Sequence, residues 1–308
     1  MLKRINKLPF ELLSPQSTGV IGPYTKPIAY VSPGDEIEVE TWDCYGGAVK
    51  PGQTRQQAVD RGIKLPANPV TGPIFVEGAE PGDVLAIDIL GIKMPERGFT
   101  SLRQGVSPIG LQVEQAKTRF SEIIGNRIHY VTDKGRTISL EADPFIGTIG
   151  ISPLSEAIST ITPGSHGGNM DCPDIQTGAR LLLKVNHKGA LLSLGDVHAI
   201  QGDGEICGTA VEIDAVVRLR LNIIKGSNIT WPHIETLDEI MTVCSARPLE
   251  DAARLAYREL INWMVVDYGW NRDDAQILLS LVATSRIAQI VDPQFTVVAK
   301  LNKKYLKE

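Results

Sequence analysis

The sequence predicts a mainly β protein, a sandwich or barrel of short strands, with a C-terminal segment that contains helices. Glycine, proline and aspartate turns punctuate most of the chain, apolar residues alternate with polar ones after those turns, and a helical period replaces the alternation from Pro248 onward. Pro33-Gly34-Asp35 sets the entry to Glu36-Ile37-Glu38-Val39-Glu40, and Pro81-Gly82-Asp83 repeats the device before Val84-Leu85-Ala86-Ile87. Further strands are expected over 128–131, 137–140, 145–151, 179–185, 190–194 and 212–221, with Asn186-His187-Lys188-Gly189 as a hairpin turn between two of them.

In the last quarter Leu249, Ala252, Ala256, Leu260 and Met264 recur at three- and four-residue spacing, the pattern of a helix with one apolar face. Asn271 is the cap of a second helix, with Asp273 and Asp274 in its first turn. Leu278, Leu279, Leu281, Val282 and Ile287 are its expected buried stripe, Val291-Asp292-Pro293 its end, and 295–301 a closing strand. The junction falls at Lys225-Gly226-Ser227-Asn228. It divides a β-rich region, 1–225, which carries the polar clusters, from an α/β region, 226–308, packed on it.

A net charge of −5 argues against nucleic acid or an anionic membrane surface as a partner, and the few scattered aromatics make no stacking platform for bases. No run of about eighteen apolar residues is present, so no membrane helix is expected. The basic N-terminus does not read as a signal peptide, since no apolar stretch follows it, and a cytoplasmic location is expected. Cys44, Cys172, Cys207 and Cys244 are widely spaced and make neither a zinc knuckle nor a disulfide framework, so reduced thiols are expected.

The chemistry concentrates in Gly195-Asp196-Val197-His198-Ala199-Ile200-Gln201-Gly202-Asp203-Gly204-Glu205. Residues i and i+2 of a strand share a face, which puts Asp196 beside His198; glycines 202 and 204 let the chain turn and bring Asp203 and Glu205 back. Such polarity beside apolar strands is costly to bury unless it binds a metal, pairs its charges or does chemistry. A second cluster, Thr162-Pro163-Gly164-Ser165-His166-Gly167-Gly168-Asn169-Met170-Asp171-Cys172, adds imidazole, carboxamide and carboxylate. A third, Glu40-Thr41-Trp42-Asp43-Cys44-Tyr45-Gly46-Gly47, closes an alternating strand. His129 and His233 read as structural residues and His187 as a turn residue, while Glu212, on the strand after the main cluster, stands open between the two readings.

The motifs GSHGGNMD, GDVHAIQGDGE and CGTAVE, together with GDEIEVETWDCYGG, NPVTGPIFVEGAEPGD and PFIGTIGISP, occur in an order that resembles the acetamidase/formamidase family, from about residue 15 to the C-terminus. The resemblance implies hydrolysis of a small aliphatic amide, formamide or acetamide, to ammonia and a carboxylate. It also implies a jelly-roll-like β-sandwich core with α/β additions and a homo-oligomer, a dimer by expectation.

Amide hydrolysis needs an activated nucleophile, charge stabilisation at the carbonyl oxygen and an acid for the nitrogen. Neither a Gly/Ser-rich nucleophile segment nor a Gly-x-Ser-x-Gly elbow is present. A thiol route would use Cys207 with Glu205. The route that fits best is water activated by a divalent metal, zinc before calcium, held by a pool of His166, Asp171, Asp196 and His198, with Asp43 as an addition. Glu205 is then the general base, Asp203 orients the water or an imidazole, and Asn169 donates to the oxyanion. A non-catalytic metal-binding sandwich is the remaining alternative, favoured by an all-oxygen calcium site.

Overall fold

The run Val84-Leu85-Ala86-Ile87 is apolar at every position because both of its faces are covered. Leu85 and Ile87 point into one core and Val84 and Ala86 into another, and Leu181 and Leu183 against Leu182 divide in the same way. The computed structural model describes residues 2–103, 108–109, 113, 115–226 and 228–306; Ser227 of the expected junction lies outside them.

The molecule is built on two large sheets. The nine-stranded sheet runs, edge to edge, Lys3–Ile5, Glu36–Glu40, Val216–Ile224, Val84–Lys93, Arg180–Lys184, His233–Glu235, Glu239–Ala246, Phe295–Asn302 and Thr284–Gln289. The ten-stranded sheet runs Thr137–Glu141, Arg127–Val131, Lys117–Ile124, Arg97–Leu102, Glu212–Ile213, Leu192–His198, Phe145–Gly150 and Gly167–Asn169; Val70–Val76 also pairs with Leu192–His198, and Ala29–Val31 with Val70–Val76. Ile37, Val39, Val217 and Leu219 from the first sheet meet Ile74, Ile146, Leu192 and Val197 from the second in one continuous core. Strands from before and after residue 225 share the nine-stranded sheet, joined where Arg180–Lys184 pairs with His233–Glu235. Among the described residues no helix is long and apolar enough to cross a membrane.

The two Pro-Gly-Asp turns share one local solution. Gly34 and Gly82 take φ +89° and +96°, and the following aspartate accepts a backbone N–H three residues back, from Ser32 to Asp35 and from Glu80 to Asp83. Three α-helices occur among the described residues: α1 (Arg55–Asp60), α2 (Leu249–Tyr268) and α3 (Arg272–Val282). The apolar stripe of α2, Ala252, Ala256, Leu260 and Met264, lies on the outer face of the nine-stranded sheet, against Ile240, Cys244, Val297 and Ala299. Asn271 caps α3 by accepting the N–H groups of Asp273 and Asp274.

The structure differs from three expectations. The stretch 212–221 is two strands, Glu212–Ile213 in the ten-stranded sheet and Val216–Ile224 in the nine-stranded one; the chain changes sheets at Ala215, whose backbone is held by Thr41. Asn186–Gly189 is likewise no hairpin, because the strands it joins belong to different sheets. Helix α3 stops at Val282, and Ile287 lies in the edge strand Thr284–Gln289. Leu281 is 75 % exposed, leaving Ala275 and Leu279 to anchor the helix.

Glu259 ties α2 to the sheet. Its carboxylate accepts from Thr230 N and Oγ1 at 2.8 Å each and meets His233 Nε2 at 3.2 Å, with the His233 ring stacked on Trp263. Burial alone would raise this carboxyl, but His233 and Thr230 outweigh it and bring it down to about 2. The unfolded chain titrates near 4.5, so the stabilisation is complete above that pH and disappears as pH falls toward 2. Glu259→Ala is expected to cost about 3 kcal/mol at neutral pH. Urea unfolding at pH 7 and pH 3 should show the gap between wild type and variant narrowing at the lower value.

Candidate active site

Strand Leu192–His198 is the spine of the site. Its register sets His198 opposite Glu212 on one side and runs it along Phe145–Gly150 on the other, beyond which lies Gly167–Asn169. His198 Nε2 stands 3.3 Å from Glu212, 3.5 Å from Asp196 and 4.0 Å from Asp171. Asp171, Asp196 and His198 place one ligating atom each within 4.8 Å of one another; His198, Glu205 and Glu212 do the same, as do Cys44, Asp196 and Glu212. All of these residues are buried.

The backbone is forced into this arrangement. Six non-glycine residues among those described have positive φ, and four of them, Asn68, Asp171, Asp196 and Glu205, belong to the site, at +41° to +52°. Left-handed backbone at non-glycine residues costs on the order of 1 kcal/mol or more each and persists only where the surroundings impose it. Asp196 and His198 therefore converge as expected, but through a kink at Asp196 rather than through simple strand alternation. Gly147 leaves the room. A Cβ there would lie 2.6 Å from the Asp196 carbonyl oxygen and 2.7 Å from Asp171 Oδ1. Gly147→Ala is expected to lower turnover by about 10²-fold, the effect of a displacement of about 1 Å at reacting groups, with the far-ultraviolet dichroism unchanged; wild-type turnover would show that the site tolerates the methyl group.

Hydrogen bonds fix the orientation of each ligand. Gln201 Nε2 donates to the carbonyl oxygens of Asp171 and Ala288, 3.0 Å each, so its Oε1 faces His198 Nδ1 at 2.9 Å and accepts the proton there. His198 Nε2 is thereby turned toward the carboxylates, as the ring nitrogen available to a cation. Asn169 is the hub on the other side. Its Nδ2 donates to Asp171 at 2.9 Å and to Asp292 at 2.8 Å, and its Oδ1 accepts from Asn68 and from the Thr148 hydroxyl. Asn68 Nδ2 also donates to Asp196 at 2.7 Å.

Four candidate ligand atoms remain: Asp171 Oδ1, Asp196 Oδ1, His198 Nε2 and Glu212 Oε2 are buried and make no hydrogen bond among the described residues. Converging lone pairs in a buried site are costly unless a cation lies among them. The carboxyl groups respond to the crowding. Burial, with Asp292 next, pushes Asp171 well above the usual carboxylate range, and burial, with Asp171 next, does the same to Glu205. Glu212 also rises through burial, against the pull of His198. Burial opposes charge on His198, but Glu212 and Asp196 prevail and raise it, so without a cation Nε2 holds a proton toward those carboxylates, and a bound cation would take that proton's place. The residues present fit a divalent cation.

Other expected site residues stand elsewhere. The His166 ring packs between Gly164 and Gly168, in none of the three ligand groups; no carboxylate among the described residues comes within the 4.0 Å of an ion pair, and burial lowers it to about 4. Gly167 and Gly168, at φ +91° and +86°, turn the chain between it and Asp171. Asp43 closes its own turn by accepting the N–H groups of Tyr45 and Gly47. The Gly202–Gly204 turn returns Glu205 to the cluster but leaves Asp203 half exposed and paired with Arg286 at 2.9 Å. Both amide protons of Asn169 are committed to carboxylates, which leaves no free donor for an oxyanion. Glu212 is at the centre. Asn68, Thr148, Gln201 and Asp292 were given no site role by sequence reasoning: Asp292 read as a helix stop, and only the fold carries the 291–293 turn to Asn169.

Asn169, Asp196, Glu205, Glu212 and Asp292 line a cavity of about 420 Å³. The acetamidase/formamidase family model matches residues 21–156 and 154–304, nearly the whole chain.

The chain belongs to the acetamidase/formamidase family.

It is 28% identical over 254 residues to a formamidase of Methylophilus methylotrophus, a match that covers 64% of this chain and 61% of that protein. It is 27% identical over 264 residues to an acetamidase of Mycolicibacterium smegmatis, covering 66% of this chain and 64% of that one. The chain thus spans less than two thirds of the length of these curated relatives. Among solved structures, an acetamidase from Yersinia enterocolitica superposes with a TM-score of 0.89 at 35% identity, over 100% of this chain and 94% of the other. An acetamidase from Bacillus halodurans gives 0.88 at 32%, over 98% of each.

Proposed function

We propose that this protein hydrolyses the carboxamide of a small amide to a carboxylate and ammonia, with a divalent metal held by Asp171, Asp196, His198 and Glu212. The observation that carries this reading is the set of four buried acceptor atoms without partners, beside a cavity lined by Glu205. The chemistry such an ion supplies when bound is Lewis-acid polarisation of the amide carbonyl and acidification of a water to a pKa of about 7. An imidazole in the set favours zinc over calcium, which prefers about six to eight oxygens.

Glu205 receives the proton of the attacking water and returns it to the leaving nitrogen, a task suited to a carboxyl that burial and Asp171 make more basic than an ordinary one. Gln201 holds His198 in the tautomer that leaves Nε2 free, and Asn169 locks the Asp171 and Asp292 carboxylates in place. Cys207 is a poor nucleophile, since burial and Glu205 push its thiol up rather than down.

Ammonia release from formamide and acetamide, measured before chelation, after it and with zinc restored, tests the reading. Loss and recovery are expected. Release indifferent to the chelator would overturn it.

A further inference from the structure

The cavity that holds the acidic cluster is also lined by cations. Arg55, Arg103 and Arg247 border it, and no carboxylate among the described residues lies within 4.0 Å of any of the three. Arg247 is engaged by its own surroundings, donating to the Asp292 carbonyl oxygen at 2.9 Å and lying over the Phe295 ring. Arg55 and Arg103 are different: the Nε–H of each is buried and makes no hydrogen bond among the described residues. Tyr45 lines the same cavity, is 5 % exposed, and its hydroxyl is also buried without a partner among the described residues. The Arg55 guanidinium lies 5.5 Å from the centre of the Tyr45 ring.

The unpartnered atoms of this cavity therefore fall into two chemical sets. Asp171, Asp196, His198 and Glu212 present acceptors, which call for a cation. Tyr45, Arg55 and Arg103 present donors, two of them charged, which call for an anion. Formamide and acetamide are neutral and have three and four non-hydrogen atoms. They have no use for a second, cationic set, and they fill little of about 420 Å³, a volume within the range of about 300–1,000 Å³ that suits larger ligands.

We propose that the substrate is an amide that also carries a carboxylate, the monoamide of a short dicarboxylic acid. Its carboxylate is held by Arg55, Arg103 and the Tyr45 hydroxyl, and its carboxamide faces Glu205 and the acidic cluster. This rests on the hydrolytic reading above and names its substrate class. In the reaction the C–N bond breaks and a C–O bond to water oxygen forms. The protons of water leave with the nitrogen as ammonium, and the product is the dicarboxylate. The charged donors give the substrate its affinity and orientation, so the neutral analogue of equal size should lose about 10- to 100-fold, the worth of hydrogen bonds between charged groups.

The test compares succinamate with the neutral succinamide, by ammonia release from the zinc-loaded protein at low ionic strength. A kcat/KM at least tenfold higher for succinamate, with that ratio falling about tenfold in Arg103→Met and in Arg55→Met, supports the inference. A ratio at or below one in the wild-type protein overturns it while leaving the hydrolytic reading intact, and requires no variant to fold. A calorimetric titration with succinate and with succinamide reads the anion site without turnover. Succinate binding that exceeds succinamide binding and weakens in Arg103→Met supports the site; equal affinities overturn it. Should no amide be hydrolysed under any metal condition, the hydrolytic reading fails, and the titration alone decides whether the donors bind a carboxylate.

Discussion

Glu205→Gln is expected to lower ammonia release from acetamide by about 10²- to 10⁴-fold, the usual contribution of a positioned general base. Glutamine keeps the size of the side chain and its place in the turn, where the residue 205 carbonyl oxygen accepts Gly208 N–H and the φ of +48° is imposed by its neighbours. It removes only the capacity to take a proton. The four unpartnered acceptors on Asp171, Asp196, His198 and Glu212 are untouched, so zinc content by atomic emission should stay at the wild-type level. Turnover within about fivefold of wild type would remove Glu205 from the mechanism. A collapse in Cys207→Ala, together with release that ignores the chelator, would return the thiol route.

Adding zinc to chelator-stripped protein is expected to raise its stability by about 4 kcal/mol at a thousandfold excess over the dissociation constant. At about 2 °C per kcal/mol for a chain of this size, the unfolding midpoint should move by roughly 8 °C. The stripped protein holds four buried ligand atoms without hydrogen-bond partners among the described residues and four left-handed backbone positions around them. A cation binding only the folded state offsets both. Asp196→Asn should abolish most of the shift, because it removes a charge from the ligand group and places an amide where Asn68 Nδ2 now donates. A midpoint indifferent to zinc in the wild-type protein would exclude tight binding at these residues.

Much of the architecture was legible in the residues because it follows from local rules. Strict alternation marked Glu36–Glu40, three- and four-residue spacing marked α2, and the side chain of Asn271 marked the start of α3. The readings that failed share one cause. Periodicity reports which residues are apolar, not which of two sheets receives them. The switch at Ala215 and the crossing at 186–189 both connect strands that each look regular, and both depend on partners far along the chain. The end of α3 was missed for a related reason: Thr284–Gln289 becomes a strand because Phe295–Asn302 offers it a ladder.

The site divides along the same line. The sequence alone singled out Asp196, His198, Asp171 and Glu205 as candidates, since carboxylates and imidazole packed among glycines and apolar strands are costly to bury unless they bind a cation, pair their charges or catalyse a reaction. It also determined the family, through motifs that run in order along the chain. Only the tertiary structure decided which of the polar residues meet. Glu212 is brought to His198 by strand register, and Asp292 to Asn169 by a turn 123 residues away. His166, Asp43 and Asp203, equally polar on paper, are turned to a glycine-lined pocket, a backbone turn and a surface ion pair. The physical reason is that metal ligation and proton transfer act over a few ångströms, while spacing along the chain fixes distance only within a single strand or helix.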